Sequence, residues 1–241
     1  MVYEKNMVTL KEYYRVIYDK IMHDGDVDDS HFFAIETAKN GEKTIKYIQD
    51  GHPIYLNSKY NPTNEADKYM SDTFDMPDES ILIMFGISNG TYVRSYLKHV
   101  KKHTICVVYE PSIDIFKNLI HEVDISDLIS SDRVHIVIEG INENTFSSVL
   151  DGRIQVYNKD NNRCMAAPYY IELYPDAYKR FKRILIDIYE KLYIITNTAI
   201  NYGKRVVRND IGNMRYLPGC RSSIDFIGKF PEGLPAIVVA A

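Results

Sequence analysis

Apolar residues recur at helical spacing at Leu10, Tyr13 or Tyr14, Ile17 and Ile21, which predicts a helix over residues 10–22 that Asp24, Gly25 and Asp26 bring to an end. Three short apolar runs follow, over residues 32–37, 44–49 and 54–56. Asn40-Gly41 and Asp50-Gly51 separate them, and both dipeptides suit type I′ turns, so a small antiparallel meander is expected. Asn61-Pro62 then supplies an N-cap and a proline at the first helical position, predicting a helix that runs to Met70 or Ser71. Beyond Pro77 the pattern changes. Residues 81–85 form an unbroken apolar run, as in a strand buried on both faces. A helix over 91–100, a strand over 104–109, a helix over 112–122, a strand over 134–138, a helix over 142–150 and a strand over 154–157 are then expected. That alternation predicts a parallel sheet with right-handed crossovers.

The last third is dominated by one long helix that begins near Pro175. Phe181, Leu185, Ile188, Leu192, Ile195, Ala199, Tyr202 and Val206 step alternately by four and three, forming a heptad seam. Such a seam packs on a neighbouring helix or sheet, or joins two copies of the chain in a homodimer. The segment Leu-Pro-Ala-Ile-Val-Val-Ala-Ala at 234–241 reads as a buried parallel strand opening a further domain. The expected fold class is therefore α/β: a Rossmann-like, mostly parallel sheet preceded by a small antiparallel β-meander and followed by a long C-terminal helix. The expected divisions are 1–75 (helix and meander), 76–170 (Rossmann-like domain), 171–230 (helical segment) and 231–241 (first strand of a following, catalytic domain).

Composition narrows the classes of function. The 45% apolar fraction supports a sizeable core, and a net charge of −4 with mixed signs argues against nucleic-acid binding. Cys106, Cys164 and Cys220 are odd in number, widely spaced and without CxxC pairing, which points to reduced thiols and no zinc site. Residues 1–20 carry charges throughout and no apolar centre, unlike a signal peptide, and no apolar run reaches the roughly 20 residues of a membrane span. A cytoplasmic location without membrane or metal partners is the expectation. Twenty tyrosines and no tryptophan suit either half-buried packing or a binding surface.

One motif carries chemistry. The strand at 81–85 runs into Gly86-Ile87-Ser88-Asn89-Gly90 and then into a helix beginning at Thr91. Glycines permit positive φ and close approach of a ligand, and the free N–H groups of a helix start attract anions. Glu110 ends the next strand, 20 residues after Gly90, where an acid binds ribose hydroxyls in dinucleotide sites. Gly86, Ser88, Asn89, Gly90 and Glu110 are thus the candidate cofactor-binding residues. The dinucleotide fingerprint would place glycine where Ser88 and Thr91 stand. A methyltransferase would carry an acid before the first glycine, where Met84 and Phe85 stand. Gly86-x-Ser88-x-Gly90 also spells a hydrolase nucleophile elbow, but neither His121 nor His135 lies in a catalytic-histidine loop. The remaining reading is a turn that only joins strand to helix.

Several stretches resemble the Maf family of motility-associated factors, proposed flagellin glycosyltransferases. They are the hairpin that begins Glu36-Thr-Ala-Lys-Asn-Gly; Leu56-Asn-Ser-Lys-Tyr-Asn-Pro-Thr-Asn-Glu-Ala66; Phe85-Gly-Ile-Ser-Asn-Gly-Thr-Tyr; Val108-Tyr-Glu-Pro111 with Phe116; Asn197-Thr-Ala-Ile-Asn-Tyr-Gly with Asn209 and Asn213; and Gly233-Leu-Pro-Ala-Ile-Val-Val-Ala-Ala. The resemblance implies the N-terminal accessory domain of a bacterial glycosyltransferase that moves a nonulosonic acid from a CMP-activated sugar to serine or threonine of flagellin. It implies that any nucleotide or CMP-sugar is bound mainly by a following domain. The family's Gly-Pro-Ser-Leu-Asp turn is not in this chain, so no catalytic residue is carried over. Two other expectations stand beside it: a nucleotide- or S-adenosylmethionine-binding enzyme built on the turn and Glu110, and an interaction module that self-associates through the long helix.

Overall fold

A computed structural model describes residues 1–24, 33–49, 52–155 and 157–219, in two compact units, Met1–Leu192 and Tyr193–Ala241. The strand expected over 231–241, Cys220 and the Asp50-Gly51 turn lie outside the described residues.

The first unit opens with α1 (Val2–Tyr13) and α2 (Arg15–Asp24), so the single helix expected over 10–22 is two, broken at Tyr14. The break has a use. With Tyr14 outside helical φ/ψ, its hydroxyl reaches the sheet, donating to Val134 O and accepting from Ile136 N–H. Strands β1 (Phe33–Thr37), β2 (Lys43–Gln49) and β3 (His52–Tyr55) form the expected antiparallel meander, with Ile35 opposite Ile45 and Tyr47 opposite Ile54. The turn between β1 and β2 is not type I′. Gly41 alone is left-handed (φ 89°), Asn40 is not, and the loop is longer, closed by Ala38 N–H to Glu42 O. A type I′ turn needs positive φ at both central residues. Helix α3 (Pro62–Met70) begins as its sequence predicts, with the Asn61 side chain accepting from Asn64 N–H.

The second sheet is parallel throughout, in the order β6-β5-β4-β7: β4 is Ile81–Phe85, β5 Ile105–Glu110, β6 Val134–Ile138 and β7 Arg163–Ala166. Helices α4 (Thr91–His99), α5 (Ile113–Glu122), α6 (Ser126–Ile129) and α7 (Glu143–Arg153) lie between these strands along the chain. Every residue of β4 and β5 is buried, as their continuous apolar runs require. The α/β class, the meander, the parallel sheet and the long helix all stand as expected.

The strand expected over 154–157 is a correction: Ile154, Gln155 and Tyr157 are not in a strand, and residue 156 lies outside the described residues. Helix α7 runs on to Arg153, and Ile154 is buried as the first residue of a loop. The buried Asn158 closes that loop by accepting from Gln155 N–H and donating to the carbonyls of Arg153 and Glu79. The fourth strand is β7, whose Arg-Cys-Met-Ala sequence carries no apolar pattern because it is an edge strand with Arg163 and Cys164 exposed.

After β7 come the single turn α8 (Tyr170–Leu173) and the long helix α9 (Pro175–Met214). Within the first unit, Phe181 of α9 packs on Phe85, Tyr109 and Phe146 at centroid distances of 5.1–5.5 Å. Burial of each such ring stabilises the fold by roughly 2–3 kcal/mol. The heptad seam is buried at Phe181, Leu185 and Ile188. In the second unit its residues Ile195, Tyr202 and Val206 are exposed. Among the described residues no helix is long and apolar enough to cross a membrane, and no group of histidine, cysteine and carboxylate side chains forms a metal cluster.

A buried asparagine ties the N-terminal helix to the sheet layer. Asn6 donates to Ile120 O and Val123 O and accepts from Ile125 N–H, all at 3.0 Å or less. Asn6→Ala strands three backbone groups, so a loss of about 2 kcal/mol in urea denaturation is expected. A loss within the ordinary surface range, about 0.5 kcal/mol, would show that water replaces the amide.

Candidate functional site

In open α/β sheets ligands bind beyond the carboxyl ends of the strands, where the strand order reverses. Here β5 and β6 continue from β4 to one side and β7 returns on the other, so the reversal lies between β4 and β7. Gly86 follows β4 at that point. The sequence therefore singled out the place where such a fold offers a crevice.

The five candidate residues do come together there. The turn is tight: Gly86 (φ 94°), Ser88 (φ 51°) and Gly90 (φ 83°) are all left-handed. Ser88 thus occupies a conformation natural to glycine, at a position where a dinucleotide fingerprint places one. Glu110, fully buried, reaches back under the turn. Its Oε2 accepts from Ile87 N–H (2.9 Å) and from the Tyr170 hydroxyl (3.1 Å), and its Oε1 accepts from Ser112 N–H (2.9 Å). Burial pushes the Glu110 carboxyl up to about 7, against the downward pull of those three donors.

The crevice is filled by the protein's own side chain. Tyr170, from α8 just beyond β7, lies flat against Gly86. A Cβ at Gly86 would sit only 2.4–2.6 Å from three of its ring carbons. The glycine is required here by a tyrosine. The Tyr170 hydroxyl accepts from Ser88 N–H (3.0 Å) while donating to Glu110, and burial with the nearby carboxylate raises its own pKa well above that of an exposed tyrosine.

The N–H groups of Gly86, Ile87, Ser88 and Gly90 and the side chains of Ser88 and Asn89 are bound by protein partners. Gly86 N–H donates to Tyr109 O, Gly90 N–H to Ile87 O, and Thr91 N–H to Asn89 Oδ1. Ser88 Oγ donates to Asn57 Oδ1 (2.7 Å), and Asn89 Nδ2 donates to Lys43 O (2.7 Å). One helical turn on, the Tyr92 hydroxyl donates to Glu65 Oε2 (3.0 Å), which also accepts from Ser58 N–H (2.6 Å). The stretches that carry the resemblance, around residues 36–45, 56–66, 85–92 and 108–111, thus meet in one hydrogen-bonded knot that fastens the meander and α3 to the turn.

Sequence reasoning missed Tyr170 and Asn57. Asn57 lies within one of the resembling stretches, which marked the segment without giving its role. Tyr170 carries no local signal beyond the abundance of tyrosine. The Ser88 hydroxyl is buried and bonded to an amide, with no histidine among its partners, which leaves the nucleophile-elbow reading without its base. Cys106 is buried and its thiol pKa is raised by that burial, whereas Cys164 is exposed on β7.

No family model and no curated protein matches the chain. Among solved structures it is similar to the Maf glycosyltransferase from Magnetospirillum magneticum AMB-1, at 11% identity over 76% of this chain with a TM-score of 0.48. It is also similar to MNMC2 from Aquifex aeolicus, at 14% identity over 53% of this chain (TM-score 0.29). The Aeropyrum pernix fibrillarin, solved with S-adenosyl-L-methionine, is 9% identical over 50% of this chain (TM-score 0.25). The chain spans 35% of the first of these and 48% and 56% of the other two.

Proposed function

We propose that this chain serves as a non-catalytic accessory domain of a Maf-type flagellin glycosyltransferase, positioning a catalytic domain or the flagellin acceptor. Two lines support that reading: the ordered set of resembling stretches, and the convergence of four of them on a single buried knot. The observation that carries it is Tyr170. A nucleotide site at the β4–β7 reversal needs open space above Gly86 and free N–H groups facing it. In this chain a fully buried ring occupies that space, and its hydroxyl takes Ser88 N–H. The residues that resemble a catalytic family are accounted for by cohesion between the meander and the sheet.

Incubated with flagellin and a CMP-activated nonulosonic acid, the chain by itself is expected to transfer no sugar. Calorimetric titration with CMP, NAD and S-adenosylmethionine is expected to give no heat of binding up to about 1 mM, a ceiling that corresponds to about −4 kcal/mol. Robust transfer would overturn the accessory role. Saturable nucleotide binding would revive Gly86, Ser88, Asn89, Gly90 and Glu110 as cofactor-binding residues, with Tyr170 swinging aside to admit the ligand.

A further inference from the structure

At the opposite end of the sheet, where β4 and β5 begin, the connecting loops line a half-open polar cavity of about 300 Å3 above Ile81 and Ile105. Glu79, His103, Arg153, Tyr157 and Asn158 form its walls. None of them takes part in the knot around Gly86.

The walls are constructed with care for orientation. Asp78 grips His103 twice, accepting its backbone N–H at Oδ1 (2.9 Å) and meeting its ring Nδ1 at Oδ2 (2.8 Å). That contact holds the Asp78 carboxyl below the usual carboxylate range. It also fixes the imidazole with Nε2 as its remaining polar atom, and Nε2 has no protein partner among the described residues. The buried amide of Asn158 clamps the two flanking loops together through Glu79 O (3.2 Å) and Arg153 O (3.0 Å). Glu79 itself is left-handed (φ 63°), a strained backbone for a side chain other than glycine, asparagine or aspartate, held by that clamp.

Arg153 is the second group without a counterpart. Among the described residues its guanidinium has no carboxylate partner, although the residues of the first unit sum to a negative charge. Its charge reaches His135 on β6. The Nε2 of His135 is buried without a partner, and its imidazole is held below the ordinary range first by burial and then by that guanidinium. A planar five-donor guanidinium and an oriented imidazole on one small cavity make a receptor for an oxyanion. The carboxylate of Glu79 on the same wall disfavours a bare anion and favours one that carries a hydrogen-bond donor of its own.

We propose that this cavity binds a small oxyanion bearing a hydroxyl group, with the phosphate or carboxylate held between Arg153 and His103 Nε2 and the hydroxyl directed to Glu79. The exposed Tyr157 ring forms the rim. The site lies at the amino ends of the strands and does not depend on the reading of the Gly86 turn.

Glycerol 3-phosphate and glycerate separate the two oxyanions while keeping the hydroxyls. Titrated into isotopically labelled protein, at least one of them should give saturable NMR shifts of the His103 ring and the Arg153 side chain. Arg153→Gln should weaken that binding about tenfold or more, the loss expected of a charge-assisted pair. Arg153 is exposed, so the variant retains the fold, which its unchanged amide spectrum elsewhere would verify. Absence of saturable shifts with both ligands would overturn the proposal, and so would shifts that persist undiminished in Arg153→Gln.

Discussion

Gly86→Ala should cost the protein about 4 kcal/mol of stability, the sum of left-handed strain, overpacking and broken hydrogen bonds. The residue sits at φ 94°, where an L side chain is strained whatever the space around it. The added methyl would also meet the Tyr170 ring 2.4–2.6 Å away. The ring cannot step aside cheaply. It is fully buried, it packs against Phe85 and Tyr174, and its hydroxyl serves Ser88 and Glu110 at once. A displacement large enough to relieve the contact breaks both hydrogen bonds and leaves buried polar groups unpaired. Gly41→Ala is the internal control. Its φ is also positive, but nothing lies within 4 Å of the added carbon. Strain alone then operates, at about 1 kcal/mol. Urea denaturation of both variants measures the difference, and equal losses would mean that Tyr170 does not press on Gly86. A double-mutant cycle sharpens the result. Placing Gly86→Ala in a Tyr170→Ala background removes the steric part, so the second substitution should cost about 2 kcal/mol less there than in the natural chain.

The contact also marks the limit of what the chain discloses before its structure is seen. Strands β4 and β5 are legible because burial on both faces demands an unbroken apolar run, and residues 81–85 and 105–109 supply one; β6, though an edge strand, is legible because it is apolar at every position but His135. Strand β7 is not, because an edge strand with exposed Arg163 and Cys164 needs no such run. The apolar stretch from Ile154 misleads for the complementary reason: a loop residue can be as deeply buried as a strand residue when Asn158 satisfies the surrounding backbone. At the turn, Gly86, Gly90 and Glu110 are legible because local backbone geometry and strand order place them. Tyr170 is not, since it meets Ser88 across 82 residues of chain and leaves no periodicity behind. The difference matters for function. The glycine turn alone reads as a ligand site; with Tyr170 it reads as a filled one.

Glu110 gives that filled site a pH dependence. A carboxyl whose folded pKa is raised contributes stability that is fully present below its unfolded value and is lost as pH rises through the folded one. With the unfolded value near 4.5 and the folded value pushed up to about 7, stability should fall across that window. The fall should approach about 3 kcal/mol by pH 8, because each pH unit separating the two values is worth about 1.4 kcal/mol. Glu110→Gln removes the ionisation and keeps the shape. The variant has its own cost, because its amide must turn a donor toward Ile87 N–H, the Tyr170 hydroxyl or Ser112 N–H. That cost does not titrate. The informative quantity is therefore the difference in unfolding free energy between the natural protein and the variant, followed from pH 5 to pH 8. It should move by about 2–3 kcal/mol in favour of the variant. A difference that stays flat would place the Glu110 proton elsewhere and imply that the three donors outweigh burial. In that case the carboxylate stays ionised beneath the turn. Tyr170 would then be held in the crevice by a charge-assisted hydrogen bond, and the site would be closed more firmly at neutral pH than at acid pH.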